Sequence, residues 1–219
     1  LLDDWKTETS DNFDLGIIFN SKNIRLNASA FYSKQYNVLS NVNNPIVNVN
    51  YSQSVGNLSS YGAELESYFQ IMKGFTFFAN PSYTRFSYDD NLVVISGTTS
   101  KTIEVKGNQS PAVPKFMLKT GFLFERKGFF ANAFAHHTGA RFGDATNLEK
   151  VPDYTLFDAA IGYKVKFLQN SMYFGVEVKN IADKKYVGMI TFGDEQQNGG
   201  SGYFAGFPRT FVGSIKIDF

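Results

Sequence analysis

His136 and His137 are the two histidines of this chain, and Glu64 and Glu66 stand two residues apart, the spacing that a carboxylate pair working as acid and base would need. Adjacent residues of a strand point to opposite faces, so the two histidines cannot chelate one metal together. In a wet setting Glu64 and Glu66 are more simply explained as ion-pair partners of Lys or Arg on neighbouring strands. The run Gly199-Gly200-Ser201-Gly202 has no Lys and no helix after it, so it is no phosphate loop and reads as a flexible surface loop. Cysteine is absent, which removes disulfides and thiolate metal sites. No catalytic constellation, metal site or cofactor is expected. What is left is recognition. Tyr88, Arg141, Phe142, Tyr203 and Phe204 could supply stacking and positive charge to a small ligand, although an aromatic girdle at a membrane boundary is the simpler explanation for most of them.

The segments that must carry these residues alternate strictly between apolar and polar positions, the period of a strand with two unlike faces. Phe13, Leu15, Ile17 and Phe19 open the pattern, and Ile24, Leu26, Ala28 and Ala30 continue it. Ala63, Leu65, Ser67, Phe69 and Ile71 alternate with Glu64, Glu66, Tyr68 and Gln70. Phe157 to Phe167, Met172 to Val178 and Phe211 to Phe219 repeat the scheme. About nine strands of roughly 11–16 residues result, well above the usual globular length of about 5–6. Tight turns near 20–23, 72–74, 126–128 and 168–170 alternate with long polar connections near 39–57, 89–113, 141–153 and 181–206. Aromatic residues make up 16% of the chain, and charges such as Glu64, Glu66, Lys164, Glu177 and Lys179 sit in mid-strand on one face only. That combination predicts an all-β fold, an antiparallel transmembrane β-barrel with short periplasmic turns and long extracellular loops. Leu65, Phe77, Phe174, Val176, Ile215 and Ile217 are expected to face lipid. A soluble sandwich or lipocalin-like barrel is the alternative, but it would rarely sustain strands this long with such one-sided loops.

Several classes are set aside. A formal net charge of +1 and the lack of any Lys/Arg block give no footing for nucleic acid. No run approaches the length of about 18 apolar residues that a membrane helix needs. No basic-then-apolar signal peptide stands at the start, so an exported protein would have its leader elsewhere. Bacterial single-chain barrels use even strand numbers, so nine strands imply a fragment with two open edges.

Three stretches resemble the C-terminal part of TonB-dependent outer-membrane receptors. Tyr61-Gly62-Ala63-Glu64-Leu65-Glu66 is similar to the family's G-x-E-x-E strand opening. Asn180-Ile181-Ala182-Asp183-Lys184-Lys185-Tyr186 is similar to its N-L-F-D-K-x-Y segment. Gly206-Phe207-Pro208-Arg209-Thr210, followed by a last strand ending in Phe219, is similar to G-x-P-R-T with a terminal aromatic. The motif positions are thus Asn180, Asp183, Tyr186, Gly206, Pro208, Arg209 and Phe219.

The resemblance implies that residues 1–219 are the C-terminal portion, about nine strands, of a barrel of about 22. The plug domain that fills such a lumen is not expected within this chain, and Glu64 and Glu66 gain the plug as a second possible partner. It further implies a Gram-negative outer-membrane location, contact with outer-membrane lipid, and coupling to the TonB complex through the plug. The implied activity is active import of a scarce nutrient. An aromatic and cationic vestibule of Arg141, Phe142, Tyr203, Phe204 and Tyr88 suits a ferric siderophore, often anionic and aromatic. Cobalamin, an oligosaccharide or a passive porin-like channel are the alternatives.

Overall fold

In a computed structural model the described residues are 6–44, 49–54, 56–96, 99–167, 170–191 and 201–218. Seventeen strands are assigned among them, and no helix. In chain order they are β1 (Thr9–Asn20), β2 (Ile24–Tyr36), β3 (Leu39–Asn44), β4 (Val49–Ser54), β5 (Leu58–Met72) and β6 (Phe75–Tyr88). Then come β7 (Leu92–Ser96), β8 (Thr99–Ile103), β9 (Phe116–Arg126), β10 (Phe129–Thr138), β11 (Arg141–Phe142) and β12 (Lys150–Val151). The series ends with β13 (Tyr154–Phe167), β14 (Asn170–Lys179), β15 (Val187–Thr191), β16 (Gly202–Ala205) and β17 (Thr210–Asp218).

Nine of these strands, from 9 to 15 residues long, form one antiparallel meander in the order β1-β2-β5-β6-β9-β10-β13-β14-β17. The nine-strand expectation holds, and β1 and β17 are the two edges, so the barrel is not closed within this chain. The other eight strands form four small hairpins, β3–β4, β7–β8, β11–β12 and β15–β16, each inside one of the long connections. Those connections were expected as polar loops. Leu92-Val93-Val94-Ile95 is an unbroken apolar run with no alternation, too short to stand out as a strand beside the long ones, yet Leu92–Ser96 pairs with Thr99–Ile103.

Register carries the two faces across the sheet without interruption. Ile17 lies opposite Ala28, Ala28 opposite Leu65, and Phe69 opposite Phe77. Phe77 meets Phe122, Phe122 meets Ala133, and Ile161 meets Val176. Phe174 meets Ile215, and Met172 meets Ile217. All six residues expected on the lipid side share this face, and it is open: Ile215 is 70% exposed. The opposite face carries Glu64, Glu66, Asp158, Lys164, Glu177 and Lys216, which is the order a wet lumen requires.

Aromatic rings also lie on that polar face, and glycine makes room for them. Phe31 pairs with Gly62, Phe134 with Gly121, and Phe130 with Gly162. A Cβ on Gly62 would come within 2.6 Å of the Phe31 ring, and one on Gly121 within 2.7 Å of Phe134. The rings therefore cover backbone that water would otherwise reach. One strand departs from simple pairing. Pro81 sits inside β6, where a residue with no N–H interrupts a ladder. Beside it the Ser67 amide donates to Asn80 Oδ1 at 3.1 Å, and the Ser67 hydroxyl donates to the Ala79 carbonyl. Side chains thus replace the missing ladder bond.

Candidate functional site

The four hairpin-bearing connections rise from one end of the sheet, and three of them fuse into a layer. Its centre is apolar: Leu58, Tyr88, Leu92, Ile103, Val105 and Ala145 pack together, with Val38 and Phe86 against them. Tyr88 is only 2% exposed, so its ring belongs to this packing and leaves almost no surface for a ligand. Polar side chains close the layer by bonding orphan backbone groups, as irregular chain requires. Asn91 Oδ1 accepts from the Val105 and Lys106 amides, both at 3.0 Å. Asp90 Oδ2 accepts from Asn57 Nδ2 at 2.8 Å. Asn147 bonds the Gln109 backbone twice, accepting its amide at 2.8 Å and donating to its carbonyl at 2.7 Å.

The β11–β12 and β15–β16 hairpins are joined where the sequence places its ligand candidates. Arg141 is 6% exposed: its Nη2 donates to the Val187 carbonyl at 2.6 Å, and its guanidinium lies 5.7 Å from the Tyr154 ring centre. Its Nε has no hydrogen-bond partner among the described residues. The Tyr203 hydroxyl donates to Glu149 Oε2, and the Ser201 hydroxyl donates to the Gly143 carbonyl. Burial, then the bond to Glu149, pushes the Tyr203 phenol up to about 12. Phe142 is half-buried in β11, and Phe204 is half-exposed on β16. The structure therefore brings Arg141, Phe142 and Tyr203 together at one joint, with Phe204 at its surface and Tyr88 in the adjoining core.

The motif residues do something else. Asn180, 3% exposed and at φ 50°, ends β14 by using its whole side chain. Its Nδ2 donates to the carbonyls of Lys184 at 2.9 Å and Phe207 at 3.1 Å, and its Oδ1 accepts the Lys184 amide at 2.8 Å. The Asn180 amide donates to Asp158 Oδ1 at 2.7 Å. Asp183 Oδ1 accepts the Arg209 amide at 3.0 Å and Oδ2 accepts Lys185 Nζ at 3.1 Å, which holds the Asp183 carboxyl below its ordinary range. The Gly206 amide donates to the Tyr186 carbonyl at 2.9 Å, and a Cβ at Gly206 would stand inside the Tyr186 ring. Tyr186 packs against Tyr154 in a tilted arrangement, 4.4 Å between ring centres, and burial raises its phenol. These contacts are a clasp that seats Pro208, Arg209 and the last strand beside β14. Phe219 lies outside the described residues.

His136 and His137 do face opposite ways. His136 Nε2 lies 3.2 Å from Asp158 on the polar face, whereas His137 Nδ1 lies 3.0 Å from the Thr155 hydroxyl. Among the described residues Glu64 and Glu66 meet no Lys or Arg; Glu66 accepts from Asn27 at 3.2 Å. The neighbouring-strand cations expected for them are thus not found.

The strands of this sheet match a known family. Residues 4–181 match the family described as TonB dependent receptor-like, beta-barrel, and the chain belongs to it. Such receptors are Gram-negative outer-membrane barrels, which fixes the setting of the sheet. A ferrioxamine receptor of Yersinia enterocolitica is 29% identical over 187 residues, 83% of this chain and 24% of that protein. A ferrioxamine B receptor of Salmonella typhimurium strain SL1344 is 26% identical over 168 residues, 76% of this chain and 22% of that protein. The chain thus spans about a quarter of the length of these curated relatives. Among solved structures, the siderophore receptor PiuA from Acinetobacter baumannii superposes with a TM-score of 0.73 at 21% identity, covering 94% of this chain and 28% of that one. The ferric yersiniabactin uptake receptor FyuA from Yersinia pestis gives 0.71 at 19% identity, covering 96% and 29%. At those identities the likeness speaks for the fold.

Proposed function

We propose that the intact protein imports a ferric siderophore, of the hydroxamate class, across the outer membrane in a TonB-dependent cycle. The observation that carries this reading is the likeness of most of the chain to two ferrioxamine receptors, ferrioxamine being a ferric hydroxamate chelate. The loop layer supports it. A small-ligand receptor needs a surface held in one shape before binding, because ordering mobile loops at the moment of binding costs affinity. Here three connections are packed on a shared core and stapled by Asn and Asp side chains, and the buried Arg141 ties the layer to β15. Phe142, Tyr203 and Phe204 are the residues offered to ligand; Arg141 acts chiefly by holding β11 to β15. TonB and outer-membrane lipid are the further partners this reading assigns.

The test is uptake of radiolabelled iron by cells expressing the full-length receptor. Ferrioxamine uptake that needs TonB is the expected result. Uptake that survives loss of TonB would show a passive channel, and uptake of cobalamin or an oligosaccharide in place of iron chelates would replace the ligand class.

A further inference from the structure

On the apolar face, a belt of phenylalanines runs across β5, β6, β9 and β10 beside the short turns. Phe69 meets Phe77 at 6.2 Å between ring centres, Phe77 meets Phe122 at 5.3 Å, and Phe122 meets Phe75 at 5.5 Å. Phe75 meets Phe124 at 6.4 Å and Phe124 meets Phe129 at 6.0 Å, which brings the belt to the β9–β10 turn. Each of these four strands is paired on both sides, so the belt lies clear of the open edges β1 and β17.

A row of cations stands just beyond the belt. Lys22 lies in the β1–β2 turn, Lys73 in the β5–β6 turn, and Arg126 and Lys127 at the β9–β10 turn, all exposed. Residues 20–23, 72–74 and 126–128 include no Asp or Glu. None of the four side chains has a hydrogen-bond or ion-pair partner among the described residues. Glu125, next to Arg126, lies on the polar face opposite Phe130. The turns are held in place: the Gln70 amide donates to the Asn23 carbonyl at 2.8 Å, the Glu125 amide to Gly74 at 2.7 Å and the Lys164 amide to Gly128 at 2.8 Å. Neighbouring hairpins stand two strand spacings apart, about 10 Å, close to the Debye length in about 0.1 M salt, so the fields of the cations overlap. Turn chemistry alone does not choose Lys127. It stands at φ 52° before Gly128 at φ 84°, a two-residue turn that favours Asn-Gly or Asp-Gly.

Arg126 lies opposite Phe129 on the belt's own face, so a partner that meets the cations meets the rings as well. An anion with an apolar body fits both, whereas a hydrophilic acidic protein fits the cations alone. We infer that this turn end is a docking surface for acidic phospholipid, with Lys73, Arg126 and Lys127 on the headgroup phosphate and the phenylalanine belt on the acyl chains. This rests on the import reading above, which assigns outer-membrane lipid as a partner, and names the class of that lipid. The short turns of outer-membrane barrels are periplasmic, so the lipid is that of the inner leaflet.

The experiment places the full-length receptor in vesicles of phosphatidylcholine and phosphatidylglycerol, with bromine on the acyl chains of one lipid at a time. Quenching of a tryptophan introduced by Phe129→Trp, taken as the difference from receptor without it, reports which lipid lies at the belt. Phosphatidylglycerol should be preferred about fivefold or more in about 0.1 M salt. The preference should vanish in about 1 M salt, where the Debye length falls to about 3 Å. Lys73→Gln, Arg126→Gln and Lys127→Gln combined should abolish it with ferrioxamine B binding unchanged, whereas Lys150→Gln at the loop end should leave it intact. The salt series needs only the reporter substitution, so it decides even if the triple variant fails to fold. A reporter that shows no preference, or one that survives both high salt and the triple variant, overturns the docking surface while import stands. Absence of lipid preference together with loss of TonB-dependent uptake in the triple variant assigns the cations to a protein partner instead. A reporter that no brominated lipid quenches overturns the docking surface and also the membrane setting on which the import reading rests.

Discussion

The sheet and the loop layer solve opposite problems with the same element. In the sheet, apolar side chains such as Ile17, Ile161, Val176 and Ile215 are exposed, and order comes from backbone pairing and alternation. In the layer, Leu92, Ile103 and Val105 are fully enclosed, and polar side chains bond the irregular backbone. Among the described residues the enclosed apolar cluster therefore lies in the loop layer and not along the length of the long strands. In outer-membrane barrels lipid is the apolar partner of such a wall, so a wall of this kind needs no core, whereas a loop layer standing in water must build one.

The largest expected effect is in the layer. Leu92→Ala removes an enclosed side chain and should cost about 2–5 kcal/mol of local stability. The loss should appear as faster hydrogen exchange over 88–113, with the barrel still folded. If the whole sheet unfolded with it, the two regions would not be separable. Next comes Val176→Arg, which should destabilise the wall by about 2–4 kcal/mol if it lies near the midplane. Exchange within the layer should stay unchanged, and cysteine labelling from the lipid phase should reach position 176 and not 177. Labelling at 177 would reverse the two faces.

The clasp joins the regions, and its effect should be smaller. Asn180→Ala leaves the Lys184 amide and the Lys184 and Phe207 carbonyls without their partner, a loss of about 1–3 kcal/mol. It should loosen β17 against β14, read as faster exchange over 210–218. Unchanged exchange there would mean that the clasp does not seat the last strand.

This ranking also marks what the residues alone could reveal. The wall was legible because a period of two over nine long strands is a strong signal, and tight turns pinned its register. The layer was not, because β7 and β8 are five residues each, and the contacts that close the layer, such as Gln109 to Asn147, join residues distant in sequence. Among site residues, the motif positions were visible as a pattern but not as a joint. Tyr88 looked like a loop aromatic because its burial depends on Leu92 and Ala145.

The smallest expected effect separates the regions by pH. Tyr203 has its phenol raised to about 12 by burial and by its bond to Glu149, so the folded layer favours the protonated form. That contribution is complete below the ordinary tyrosine value of 10.0 and is lost as pH climbs through about 12. Asp183 is lowered, chiefly by the Arg209 amide and then by Lys185, so its contribution is present above 3.8 and fades as pH falls through its folded value. Both groups are substantially solvated, which keeps each effect small. The clasp should therefore loosen in acid and the β11–β16 joint in strong base, while exchange in the wall strands stays flat across the same range. A phenolate absorbance titration of wild type minus Tyr203→Phe should show one tyrosine titrating near 12, and Glu149→Gln should move it down without restoring the ordinary value, because the burial remains. A Tyr203 that titrates at 10 in the wild type would remove the hydrogen-bonded joint from the layer, and with it the reason that Tyr203 and Phe142 are held together.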